Sequence, residues 1–147
     1  MPSDEGKQFL HALHYFLKSQ SEINSLHRLI FIILSLEILS KGLCENCKGK
    51  QPGDKGNFCK TCLKLLMEKY KIDYKKYRCF KERNIQVIHS IRGSLLHWGE
   101  LDRKALGDQC DELQLFFTLR NIILEIFLKK LRFSYTENFL KRVISGI

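Results

Sequence analysis

The sequence predicts an all-α fold: a single helical bundle over residues 1–147, interrupted once, over residues 43–63, by a small insert of a different kind. Three observations carry this. The 147 residues contain only two prolines, Pro2 and Pro52, so nothing of that type breaks a helix on either side of the insert. Apolar residues recur at three- and four-residue spacing through most of the chain, the repeat of one helix face. The dense cluster of helix breakers, Gly49, Pro52, Gly53 and Gly56, falls inside the insert, and strand signals are weak except for short ribbons around its cysteines.

Taken in order, Phe9, Leu10, Leu13, Phe16 and Leu17 mark a first amphipathic helix. Ile23, Leu26, Leu29, Ile30, Ile33, Leu36 and Leu39 mark a second; Phe31, Ile32, Leu34 and Ile38 fill its other faces, so it belongs at the centre of the bundle. Gly42 is placed to end it in a left-handed conformation. After the insert, "LKLLMEKYKIDYKKY" reads as a basic helix with Tyr70, Tyr74 and Tyr77 at helical spacing, either a packing stripe or a stacking surface for bases. Ile85, Ile88, Ile91, Leu95 and Leu96 define the next helix. A very apolar helix from Leu113 to Leu131 follows Gly107 and Asp108, which are placed to cap it, and "SYTE" at Ser134 has the spacing of a capping box that would open a last short helix.

A chain of this size with 44% hydrophobic and 28% charged residues can bury about two thirds of its extended surface in a true core. The N-terminus lacks the apolar run and cleavage site of a secretory signal. The longest apolar run, from Leu29, contains Glu37 and falls short of the roughly 20 residues a bilayer requires. These readings place the protein in a reducing cytoplasm, away from membranes. Net charge is +9, and it is local: residues 48–83 hold twelve Lys/Arg against four Asp/Glu, the rest of the chain thirteen against twelve. A positive stretch of this kind is either a solvated face or a surface for an anionic partner such as nucleic acid.

The most specific chemical signal is "CENCKGKQPGDKGNFCKTC". Cys44 and Cys47 form one CxxC, Cys59 and Cys62 another, with a turn-rich spacer between them. Each CxxC turns two sulfurs toward one point, and two such halves form a tetrahedral site for zinc, one ion per chain. Two disulfides are the competing reading, disfavoured in a reducing compartment. Four thiolates leave zinc no open position, so its role is structural. The element is either a stability clip or, given the lysines around it, a grip on nucleic acid. Cys79 and Cys110 lack partners at ligand spacing and read as plain buried thiols.

A second signal is "IRGSLLHWGE". Ile88, Leu95 and Leu96 bracket Arg92 at helical spacing, so this permanently charged side chain points into an apolar arc and requires a partner there. His97, five residues on, lies about 140° further around a straight helix, so the two converge only where the helix bends or ends near Gly99, or where a second copy of the chain supplies the complementary set. The competing arrangement pairs Arg92 with an internal acid such as Glu37 and leaves His97 as a cap or surface residue.

Arg92, four intervening residues and His97, late in an all-α chain and followed by "WGE", resemble the RxxxxH motif of HEPN-domain proteins; "SLEIL" before the motif and "LRNIILEIFL" after it extend the resemblance over most of the chain outside the insert. The resemblance implies a HEPN-like helical bundle acting as a homodimer, and a metal-independent endoribonuclease whose catalytic residues are Arg92 and His97 from both protomers. It also implies RNA as substrate, a toxin or antiviral-defence setting, and an antitoxin or defence-system protein as a partner. The expected chemistry is attack by the RNA 2′-hydroxyl, His97 moving the proton and Arg92 holding the scissile phosphate. Many active members carry Asn or Asp directly after the arginine; Gly93 stands there in this chain. That departure favours a non-catalytic module that binds protein or nucleic acid and carries structural zinc. A DNA-binding zinc-ribbon regulator, with residues 64–81 as its recognition helix, is a third reading.

Overall fold

The computed structural model describes residues 4–47 and 58–144, with side chains through Arg132. All of the regular structure among them is helical, with no strand. Helices α1 (Asp4–Ser21) and α2 (Ser25–Ser40) form an antiparallel hairpin. Asn24 sets its turn by accepting hydrogen bonds from the Leu26 and His27 N–H groups at 3.0 Å, which satisfies donors the helix leaves free. Ile23 lies just outside the helix and is almost wholly exposed. Ser35 on α2 donates to the Ala12 carbonyl at 2.7 Å, and Gln8 reaches the carbonyls of Ile38 and Lys41 at the far end. Gly42 follows at φ 79°, as the sequence leads one to expect.

Helix α2 is the centre of the molecule. Leu29, Ile32, Ile33 and Leu36 are fully buried on it, each contributing about 1.5–3 kcal/mol relative to exposure. Helix α3 (Lys60–Lys69) and α4 (Val87–Trp98) pack on one side of α2, while the long α6 (Glu112–Ile144) runs along another. Phe127 of α6 meets Phe9 and Phe16 of α1 edge-on, with ring centroids 5.0 and 5.5 Å away. The short α5 (Arg103–Leu106) connects α4 to α6.

Several expectations are corrected. The basic helix does not run to Tyr77: α3 ends at Lys69, Lys71 takes φ 52°, and Ile72 turns inward with its N–H on the Met67 carbonyl at 2.9 Å. Lys129 from α6 caps this end by donating to the carbonyls of Tyr70 and Lys71 at 2.7 and 3.2 Å. Burial of Ile72 therefore outweighs the helical period of the tyrosines, and Tyr70, Tyr74 and Tyr77 all pack against the core from separate short turns. The apolar helix is capped by Asp111 instead of Gly107 or Asp108. The Asp111 carboxylate accepts from the Gln114 N–H at 2.8 Å while the Gln114 side chain accepts from the Asp111 N–H at 3.0 Å, a reciprocal box. No new helix opens at Ser134, because α6 continues through it to Ile144; no glycine or proline lies between Asp108 and Ser145 to interrupt it.

Cys79 and Cys110 are not plain thiols. They are joined in a disulfide across 31 residues, tying the turn before α4 to the start of α6. A closed loop of that length is worth about 3–4 kcal/mol against the unfolded chain. The bond is not what a reducing compartment leads one to expect, and both cysteines are only 3% exposed.

Gly107, between α5 and α6, has φ 72°, and the Arg83 guanidinium occupies the space a Cβ would take there. Arg83 in turn donates to the Ala105 carbonyl at 2.6 Å. Gly107→Ala is accordingly expected to cost about 1–3 kcal/mol from the left-handed backbone and the displaced guanidinium, read as a lower midpoint in chemical denaturation.

Candidate functional site

The ends of the insert are set by the bundle. Cys44 follows the left-handed turn at Gly42, and Cys47 closes a 3₁₀ turn with its N–H on the Cys44 carbonyl at 3.1 Å. Cys59 leads into α3, and Cys62, 1% exposed, sits in that helix's first turn. These described ends are a turn and a helix start, not ribbons; residues 48–57 lie outside the described residues. The arrangement brings all four sulfurs within 4.8 Å of one another. The Cys44 and Cys59 sulfurs are 3.7 Å apart, close to the roughly 3.8 Å edge of a tetrahedron with zinc–sulfur bonds of about 2.3 Å.

The electrostatics fit a cation. Hydrogen bonding with Cys44, then burial and the other thiols, pushes Cys47 up to about 12. Burial acts to raise Cys59, but the Cys62 N–H and the neighbouring thiols overcome it and bring Cys59 down to about 7. One sulfur can ionise only while its neighbours hold their protons, because four adjacent thiolates repel. A bound divalent ion removes that conflict, so Cys44, Cys47, Cys59 and Cys62 form a cluster that could hold a metal ion.

The second centre lies where α4 crosses α2. Arg92 donates from Nε to the Glu37 carboxylate at 2.9 Å and from a terminal nitrogen at 3.4 Å. The Glu37 side chain is 10% exposed and that of Arg92 30%. The partner that the arginine requires is thus an acid on the neighbouring helix. Sequence spacing alone left that pairing as one of two arrangements.

His97 is exposed on the last turn of α4, which runs unbroken to Trp98 and ends at Gly99 with φ 65°. The helix does not bend between Arg92 and His97, so within one chain the two side chains leave it in different directions. His97 has no hydrogen-bonding or ionic partner among the described residues, and the Glu100 carboxylate does not reach it. Ser94 is engaged at the helix end, donating to the Glu100 carbonyl at 2.9 Å. Gly93 faces open space, so no steric demand explains a glycine there.

A link between the two centres is absent from the sequence reading. Phe58, adjacent to Cys59 and 5% exposed, stacks on His89 with centroids 5.4 Å apart, and the Arg92 guanidinium lies 5.6 Å from the same ring. His89 is held below the usual histidine range by burial first, then by the Lys60 and Arg92 cations, against the pull of Glu37. An aromatic residue directly before a CxxC cysteine was the only available signal of this contact.

Fold and site together define a class: an all-helical protein with a four-cysteine cluster able to take a metal ion and, among the described residues, no helix long and apolar enough to cross a membrane. Comparison with known proteins adds no narrower assignment, since no family model, no curated protein and no solved structure matches the chain.

Proposed function

We propose that this chain is a HEPN-like, metal-independent endoribonuclease that acts as a homodimer in the cytoplasm and carries one structural zinc ion per chain. The observation that carries the reading is the placement of Arg92. Glu37 grips Nε and one terminal nitrogen, which fixes the guanidinium plane while part of the side chain stays exposed beside the apolar groove between α2 and α4. An arginine held this way presents its remaining N–H groups to an anion without reorganising first.

In this reading the scissile phosphate lies against Arg92, and His97, free of internal partners, takes the 2′-hydroxyl proton or delivers one to the leaving 5′-oxygen. The 2′-oxygen forms the new bond to phosphorus as the bond to the 5′-oxygen breaks, leaving a 2′,3′-cyclic phosphate. Because Arg92 and His97 diverge on one straight helix, a cleft containing both takes its histidine from the second protomer. Zinc at Cys44, Cys47, Cys59 and Cys62 holds the insert against the bundle. A toxin or defence setting, with an antitoxin or defence-system partner, follows from the resemblance alone.

The non-catalytic reading has its own support: Glu37 already neutralises Arg92, so no external anion is required for the fold. His97→Ala distinguishes the two cleanly, because an exposed and unpartnered histidine can be removed without disturbing the core. In buffer freed of divalent cations, wild type is expected to cut single-stranded RNA to 2′,3′-cyclic ends, and His97→Ala to be slower by about 10²–10⁴-fold. Equal cleavage by the two proteins, or none by wild type, leaves the binding module standing.

A further inference from the structure

On the side of the molecule where the disulfide lies, a cleft of about 360 Å³ opens between the turn at 78–83 and the loop at 106–109. Its lining is polar: Arg78, Lys81 and Arg83 with Glu82 on one wall, Asp108 and Gln109 on the other, and Leu106 at the base. We infer that this cleft binds one nucleotide unit, its phosphate on the cations of the 78–83 turn and its sugar or base donors on Glu82 and Asp108.

Four features support this. First, the cations are available. Neither the Arg78 nor the Lys81 side chain has a hydrogen-bonding or ionic partner among the described residues, and Arg83 uses one terminal nitrogen on the Lys104 and Ala105 carbonyls, at 3.4 and 2.6 Å. Second, Glu82 and Asp108 line the same space yet pair with none of these cations, so both signs of charge are left free for a ligand. Third, the walls are fixed to one another by the Cys79–Cys110 disulfide and by Arg83 seated against Gly107. Fourth, the size suits a small organic molecule, for which pockets run about 300–1,000 Å³, and exceeds what a bare phosphate would fill. A ligand that meets three cations, two carboxylates and an amide carries an anionic group together with O–H or N–H donors, and a nucleotide has both. The phosphate belongs either to a free mononucleotide or to an RNA strand. In the second case the inference rests on the RNA reading above and adds a grip remote from Arg92.

The test is titration of the full-length, oxidised protein with AMP and, separately, with a single-stranded RNA octamer over a salt series. Arg78→Ala/Lys81→Ala is compared with a charge-matched control, Lys7→Ala/Lys18→Ala on α1. All four positions are exposed, so folding is expected to persist, checked by circular dichroism. For whichever probe binds, the cleft variant should weaken affinity at least tenfold where the control changes it less than twofold. On RNA its salt slope should be shallower by about 1.4, at roughly 0.7 per lost phosphate contact. AMP binding lost in the cleft variant identifies a free nucleotide; loss confined to the octamer identifies an RNA strand. Binding of neither probe by wild type, or equal weakening by the two double variants, overturns the inference. Cleavage by the same samples is scored separately. RNA cut normally by the cleft variant with unchanged affinity removes only the cleft, whereas cleft-dependent binding without any cleavage removes only the nuclease reading.

Discussion

Protein purified without chelators is expected to contain one zinc ion per chain, and stripping that ion is expected to lower the thermal midpoint by about 10 °C. Two terms set the size. Structural zinc is worth about 10–16 kcal/mol where a peptide folds only with metal. Here most of the core, including the α1–α2 hairpin and its packing on α6, contains no cysteine ligand, so only the part that orders the Cys44–Cys47 turn and the start of α3 depends on the ion. A loss of about 3–5 kcal/mol in a chain of this length corresponds to roughly 2–4 °C for each kcal/mol. The loss should also occur as pH falls, because protons compete with metal for the sulfurs and the bound form requires thiolates. Metal analysis that finds no zinc, or a melting curve indifferent to chelation, would remove the structural role assigned to the cluster. Cys62→Ser, which replaces the most buried of the four sulfurs, should reproduce the chelated state.

Arg92→Ala is expected to destabilise the fold by about 2–3 kcal/mol, because it leaves the buried Glu37 carboxylate without its cation. The figure is set below the 3–5 kcal/mol typical of breaking a fully buried pair, since Arg92 is 30% exposed and partly screened. The same argument predicts a rescue. Glu37→Leu/Arg92→Leu removes both charges together and should recover most of the stability, because well-packed apolar residues commonly replace a buried pair at little cost. Urea denaturation of wild type, the single variant and the double variant checks this. A stable Arg92→Ala, or a double variant worse than the single one, would mean that the pair does not support the α2–α4 contact. Loss of RNA cleavage in Arg92→Ala alone therefore mixes folding with chemistry, and for that reason His97→Ala is the cleaner probe.

Much of the fold was legible in the residue pattern. The spacing of Leu29, Ile33 and Leu36, with Ile32 on the adjoining face, placed α2 at the centre, and the structure buries all four. The spacing of Cys44, Cys47, Cys59 and Cys62 announced a cluster, and their sulfurs do converge. The failures have one physical origin. The Tyr70–Tyr77 segment kept a helical period, but Ile72 gains more by burial than the helix gains by continuing. "SYTE" had the spacing of a cap, yet capping residues end nothing where the backbone can remain helical without interruption. Cys79 and Cys110 stand 31 residues apart, and no local pattern reports which distant turns a bundle will press together.

The sequence by itself determined an all-helical chain, a central apolar helix, four cysteines at metal-ligand spacing and a cation placed among apolar neighbours. These are local or periodic properties, set by chain geometry over a few residues. Tertiary structure alone decided that Glu37 takes Arg92, that Phe58 joins the cysteine cluster to His89 and Arg92, and that Arg78, Lys81 and Arg83 face Asp108 across a cleft. Each of those meetings depends on how whole helices cross, which is governed by the summed burial of the core and not by the residues that happen to meet.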